Sequence, residues 1–238
     1  MSIDSVSPAA SSVLPETIYQ ALRAGILAQR DAPGSTITES AVALRFAVAR
    51  PTAKIAIERL VREGLLRREA HRAARVPELD RADIIDLFDN RAVIEGAALA
   101  SLARSGTIPA EALTAHRALL SHSEDDTTFA DEDIAFHRSL VQGQPSPRLA
   151  MLHAQLMGEI ELCIGQVESH RLLGAREIAE QHQGILDAVL AGDSELAASR
   201  THNHITGARD KLLARYDADH AAPTTNSDHQ PPTESTTP

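Results

Sequence analysis

At 238 residues the chain is long enough for two domains with sizeable cores, and 3% aromatic content with no Trp favours helix over sheet. A single cysteine, Cys163, excludes an internal disulfide, and no segment approaches the ~20 apolar residues of a membrane-spanning helix. The formal charge of -10 hides an asymmetry: residues 14–76 carry 11 Arg and Lys against 6 Asp and Glu, whereas residues 77–238 carry 12 against 26.

A basic block joined to an acidic body implies a small module for a polyanion attached to a domain with another task. No basic region followed by an apolar run marks a signal peptide, so a cytoplasmic protein is expected. Residues 1–13 and 217–238 are poor in large apolar residues and rich in Ser, Thr and Pro, the composition of unordered ends. Between them we expect one domain over residues 14–77 and a second over 78–216.

Ile18, Leu22 and Ile26 recur every four residues and predict a first helix that stops at DAPGS. A short second helix follows, with Thr38 as candidate N-cap and Val42 and Phe46 on its buried side. Pro51 suits the first turn of a third helix striped by Ala53, Ile57, Leu60 and Val61, with Gly64 placed to end it. LLRREAHRAARVPEL then reads as two short strands joined by a basic tip at His71 and Arg72.

Three helices followed by a small basic hairpin make a winged helix-turn-helix, whose third helix would lie in the major groove of DNA. Arg50 and Lys54 stand four apart on the face opposite the Ala53, Ile57, Leu60 stripe. Surface Arg and Lys are ordinarily just solvated. DNA contact is preferred here because Arg23, Arg59, Arg62, Arg67, Arg68, Arg72 and Arg75 share the segment.

The stretch from YQALRAGILAQRDAPGS through RPTAKIAIERLVREGLLRRE resembles the N-terminal domain of the GntR family of bacterial transcription regulators. The resemblance implies DNA contacts from Arg50, Lys54, Thr52 and Ser40, with His71 and Arg72 at a wing tip entering the minor groove. Five positions depart from the family pattern. Ala49 replaces Ser or Thr, removing an N-cap and a phosphate-contacting hydroxyl; Pro51 and Thr52 invert the usual order; Lys54 replaces Arg; and Ala73 replaces the wing Gly.

From residue 80 onward helix follows helix, with breaks at SGTIP, HSEDDTT, GQPSP, LLGA and AGD. The expected fold class is therefore mainly α: the winged helix-turn-helix followed by an all-α bundle of six to seven helices. Arg91 falls within the apolar stripe Ile84, Leu87, Phe88, Ile94, Ala98, Leu102. It is either a salt-bridge partner of Glu95 one turn on or an anchor for a carboxylate ligand.

DIAFHRSL places Asp133 and His137 on a stripe with Ala130, Leu140 and Val141. A local hydrogen bond would explain that pair alone, but other histidines also face inward. His182 shares a face with Ile178, Ile185 and Val189, ~15 Å before the turn at Gly192, while His204 lies ~18 Å after it. His202 also falls in range, about 200° around the helix from His204, and spacing does not choose between them. Three imidazoles and a carboxylate would suit Zn, Ni, Mn or Fe with positions left open.

This body resembles the FCD-type ligand-binding domain of the FadR subfamily, through RAVIEGAALA, DIAFHRSL and QHQGILDAVLAGD followed by a His. The resemblance implies a divalent metal, Zn first among the candidates, held by Asp133, His137, His182 and His204. It also implies that Arg91 faces an effector cavity, with a small carboxylate as effector, and that a homodimer binds a double-stranded DNA operator. Ser146 stands where the family usually has Asn. The expected function is a DNA-binding regulator, of the repressor type, controlled by a small organic acid at the metal site. Two alternatives are a metal-dependent enzyme acting on a carboxylate or phosphate and a purely structural metal; no general base is evident beyond the ligands themselves.

Overall fold

The computed structural model describes residues 8–70, 72–123, 129–167 and 174–221. The N-terminal module consists of α1 (Pro8–Leu27), β1 (Thr36–Ile37), α2 (Glu39–Phe46), α3 (Arg50–Arg62) and β2 (Ala74–Arg75). Ile18, Leu22 and Ile26 of α1 are buried with Ile57 and Leu60 of α3, as their four-residue spacing demands. Thr38 Oγ1 accepts from Ala41 N at 3.1 Å and caps α2. At the start of α3 Ala49 offers no side-chain cap, forgoing roughly 1 kcal/mol that a Ser or Thr would supply. Gly64, at φ 75°, ends that helix in the left-handed region.

The wing keeps the expected hairpin at one point, where Arg67 and Arg75 exchange both backbone hydrogen bonds, and adds a strand that the sequence did not signal. β2 pairs antiparallel with β1, in register Thr36↔Arg75 and Ile37↔Ala74, while the segment after α3 contributes only the Arg67↔Arg75 bridge. A two-residue strand carries too little alternation to be read from sequence. His71, assigned to the wing tip, lies outside the described residues. Helix also reaches further at both ends than composition implied: α1 takes in residues 8–13, and the final helix runs on through 217–220.

Among the described residues, six helices form the second domain: α4 (Arg81–Ser105), α5 (Ala110–Leu120), α6 (Ala130–Gly143), α7 (Pro147–Gln166), α8 (Ala175–Leu190) and α9 (Ser194–His220). Asp80 and Asp83 form a capping box at the start of α4. Ser146 caps α7 by accepting from Leu149 N at 3.3 Å, a task that Asn performs equally well. Where α4 and α9 pack together, small residues let the backbones approach: a Cβ on Gly96 would stand 3.7 Å from Ala198 O.

One continuous core joins the two domains, running from Ile18, Leu22 and Leu60 to Phe88, Met157, Ile160 and Leu212. Two glycines of α7, seven residues apart, seat the N-terminal module backbone to backbone. A Cβ on Gly158 would strike the carbonyl oxygen of Glu63, and one on Gly165 would come within 3.0 Å of Leu27 O. Beside this seat, Glu161 of α7 is buried and accepts from Arg23 of α1 and from Arg138 of α6. Arg138 immediately follows His137, so α6 touches both the bundle interior and, through Glu161, the N-terminal module.

Candidate metal centre and DNA-binding surface

Helix α6 presents Asp133 and His137 one turn apart on its inner face, and the α8–α9 hairpin brings His182 and His204 to the same height. One donor atom from each of the four lies within 4.8 Å of the others. His137, His182 and His204 are all buried, and the Asp133 side chain is 14% exposed. His202 is exposed on the opposite face of α9, so the structure makes the choice that spacing left open.

The tautomers follow from the surroundings. His137 Nδ1 donates to Glu95 Oε2 at 2.5 Å, because a carboxylate only accepts, and this leaves Nε2 facing the cluster. His204 Nδ1 stands 2.6 Å from Gln181 Oε1, and the Gln181 amide nitrogen donates to Glu177, which fixes the amide's orientation and makes His204 Nδ1 the donor. The two Nε2 atoms then oppose each other at 3.0 Å, lone pair to lone pair. Asp133 Oδ1 lies 3.1, 3.6 and 4.0 Å from the Nε2 atoms of His182, His137 and His204. Among the described residues neither Asp133 Oδ1 nor His182 Nε2 makes a hydrogen bond.

Buried donors arranged in this way need a shared positive charge, and three nitrogens with one oxygen suit a borderline divalent ion. The residues therefore fit the metal that the sequence implied. Burial would raise the Asp133 carboxyl, but His137 and His182 beside it hold it well below the usual carboxylate range. Burial also drives His182 down to about 4 and, together with the neighbouring imidazoles, pushes His204 well down, so both stand neutral as ligands must. His137 moves the other way: burial is the largest influence and opposes its charge, yet Glu95 and Asp133 together raise it.

Glu95 is a hub that the sequence reading placed beside Arg91 without seeing its reach. It is fully buried and accepts from Arg91 Nε at 2.7 Å, His153 Nε2 at 2.9 Å and His137 Nδ1. Burial alone would raise its carboxyl, but Arg91 and His137 hold it well below the usual range. Arg91 thus makes the salt bridge offered as the alternative to an anion anchor. Its Nη2, however, is buried with no hydrogen-bond partner among the described residues. His153 and His116, both buried, were missed; each sits on an apolar stripe where helical spacing could have flagged it.

On the N-terminal module Arg50 donates through Nη2 to Ser40 Oγ at 2.6 Å, bringing together two of the residues assigned to DNA. Lys54 is half exposed, 3.6 Å from Glu58, and Thr52 is half-buried. Arg72 is 75% exposed and pairs with Glu69 at 2.8 Å.

The FCD domain family matches residues 86–207, and bacterial regulatory proteins of the gntR family match residues 14–76. The chain belongs to the FCD-domain branch of the GntR transcription regulators. It is 28% identical to the "Probable D-xylose utilization operon transcriptional repressor" of Paenarthrobacter nicotinovorans, over 72% of this chain and 76% of that protein. Similarity to BphR of Paraburkholderia xenovorans, described as an HTH-type transcriptional regulator, is 27% over 81% of this chain and 82% of the relative. The fold is shared with a GntR structure from Rhodococcus sp. RHA1, at TM-score 0.69 and 23% identity over 84% of this chain and 97% of that one. It is shared also with E. coli McbR/YncC, at TM-score 0.67 and 18% identity over 85% and 98%. This GntR regulator has no helix among its described residues long and apolar enough to cross a membrane.

Proposed function

We propose that this regulator is a cytoplasmic homodimer that represses transcription from a palindromic operator, and that a small organic acid bound beside a divalent metal changes its operator affinity. The observation carrying the reading is the convergence of Asp133, His137, His182 and His204 inside the bundle, linked through Glu95 to an Arg91 guanidinium with one nitrogen still lacking an acceptor. These four side chains would hold the ion. When bound, it supplies positive charge with open positions that a carboxylate can occupy. Arg91, anchored at Nε by Glu95, would orient that carboxylate through Nη2. The relative named as a repressor supports the sign of regulation.

Coupling to DNA would run through Arg138. Its neighbour His137 is a ligand, and its guanidinium shares Glu161 with Arg23 of α1. An acid that favours one placement of α6 shifts the seat of the DNA-binding module, provided it binds the two arrangements with different affinity. Arg50, Lys54, Thr52, Ser40, His71 and Arg72 would face the operator. Ligand binding is preferred to catalysis because Glu95, the buried carboxylate beside the cluster, already accepts three hydrogen bonds and is not free to act as a general base.

A thermal-shift screen of mono- and dicarboxylic acids, run with and without EDTA, tests this reading. Stabilisation by an acid only in the presence of metal is the expected result. Stabilisation by metal with no response to any acid would make the ion purely structural.

A further inference from the structure

His137 and His204 each have a Nδ1 held by an acceptor that is itself fixed, Glu95 in one case and Gln181 in the other. His182 is the exception. Its Nε2 stands 3.1 Å from Asp133 Oδ1, on the side of the cluster, yet its Nδ1 is buried with no partner among the described residues. A metal ligand without such a partner is left free to rotate or to change tautomer.

A second orphan lies close by. His116 of α5 is 4% exposed, and its Nδ1 also lacks a partner. The tautomer of His116 is set from the surface inward. Gln183 donates its amide nitrogen to Asp187 at 2.7 Å, so its Oε1 faces His116 Nε2 at 3.1 Å. An amide oxygen only accepts; His116 therefore carries its proton on Nε2 and a lone pair on Nδ1. With Nε2 given to a metal ion, His182 would carry its proton on Nδ1. Donor and acceptor are complementary, and both are buried. The ring centroids are 6.3 Å apart and the two Nδ1 atoms make no direct hydrogen bond; a water between them would join donor to acceptor.

We propose that His116 is the positioning residue for the ligand His182, accepting its Nδ1 proton through one buried water, with Gln183 and Asp187 fixing the tautomer of His116. The chain Asp187, Gln183, His116, water, His182 then matches the chain Lys211, Glu177, Gln181, His204 on the neighbouring ligand, where Lys211 Nζ meets Glu177 at 2.9 Å. All three ligand imidazoles would be held from behind. Phe136, stacked on His182 with ring centroids 3.8 Å apart, limits tilting of the ring but gives its Nδ1 nothing to bond.

The inference rests on the metal-centre reading, and one experiment separates the two. Zn²⁺ affinity is measured by chelator competition in the full chain, in His116→Phe, which keeps a ring without an acceptor, and in His116→Gln, which restores one. Loss of about 10–100-fold in the Phe variant with recovery in the Gln variant is the expected pattern. Equal affinity in the parent and Phe chains would overturn the role of His116 while leaving the metal centre intact. Equal losses in both variants would also overturn it, by assigning the effect to packing; a parent that binds no Zn²⁺ would sink both readings. Should the Phe variant fail to fold, Gln183→Met carries the same test, with a tenfold loss expected and unchanged affinity overturning the proposal.

Discussion

The Nε2 atoms of His137 and His204 stand 3.0 Å apart while their Nδ1 atoms are engaged by Glu95 and Gln181. Two neutral rings so fixed repel each other across that gap. Without metal, a second proton on His137 can fill it, and Glu95 favours that proton against the opposing effect of burial. A divalent ion takes the same place, so Zn²⁺ uptake near neutral pH should release protons. Calorimetric titrations in buffers of differing ionisation enthalpy should show release of roughly one proton per ion; buffer-independent heats would contradict this account of the gap.

Glu95 neutralises Arg91 and orients two histidines from a fully buried position. Glu95→Gln keeps the volume but leaves the Arg91 charge uncompensated, and should cost about 3–5 kcal/mol of stability in denaturant unfolding. Metal affinity should fall as well, because the amide no longer attracts the His137 Nδ1 proton with a full charge.

His182 gives the metal-stripped protein a dependence on pH. Burial lowers its folded pKa to about 4, against about 6.5 in an unfolded chain, so folding excludes a proton at this site. The stability it contributes is present above about 6.5 and is lost as pH falls toward 4. Between pH 7 and pH 5 the loss should be roughly 2 kcal/mol. His137, shifted upward, contributes the opposite slope, so the comparison that isolates His182 is the parent against His182→Gln. A variant whose stability falls as steeply as the parent's would contradict the assignment.

Much of this was legible in the sequence because helices announce themselves by period. The Ile18, Leu22, Ile26 stripe and the Thr38 cap are where the spacing put them, and the resemblance to FCD domains singled out the four donors that converge. Glu95, His153 and His116 were not legible in their roles. Glu95 meets His137 across 42 residues and His153 across 58, pairings that only the packing of α4, α6 and α7 creates. β1 went unread for a different reason: it has two residues, too few for alternation to register.

At the DNA-binding surface, Arg50→Ala or Lys54→Ala should weaken operator binding and lower the slope of log affinity against log salt by about 1 for each phosphate that is no longer neutralised. Titrations across salt concentrations read both effects. Unchanged affinity in both variants would remove α3 from the interface.

Coupling can be separated from binding at Glu161. Glu161→Gln weakens the link between Arg138 of α6 and Arg23 of α1 without touching the metal ligands or the operator surface. Metal affinity should stay within about twofold of the parent, well under the ~10–100-fold cost of disturbing a ligand's partner, while any effect of metal on operator affinity shrinks. A full metal response in this variant would place the coupling elsewhere.

Metal analysis of purified protein reloaded with Zn²⁺ after chelator treatment tests the central claim most directly. The parent and His202→Ala should each hold about one ion per chain, and His182→Ala and His204→Ala should lose it, since removing a ligand costs more than the ~10–100-fold typical of its partners. Retention of the ion by His182→Ala and His204→Ala, or its loss from His202→Ala alone, would contradict the assignment.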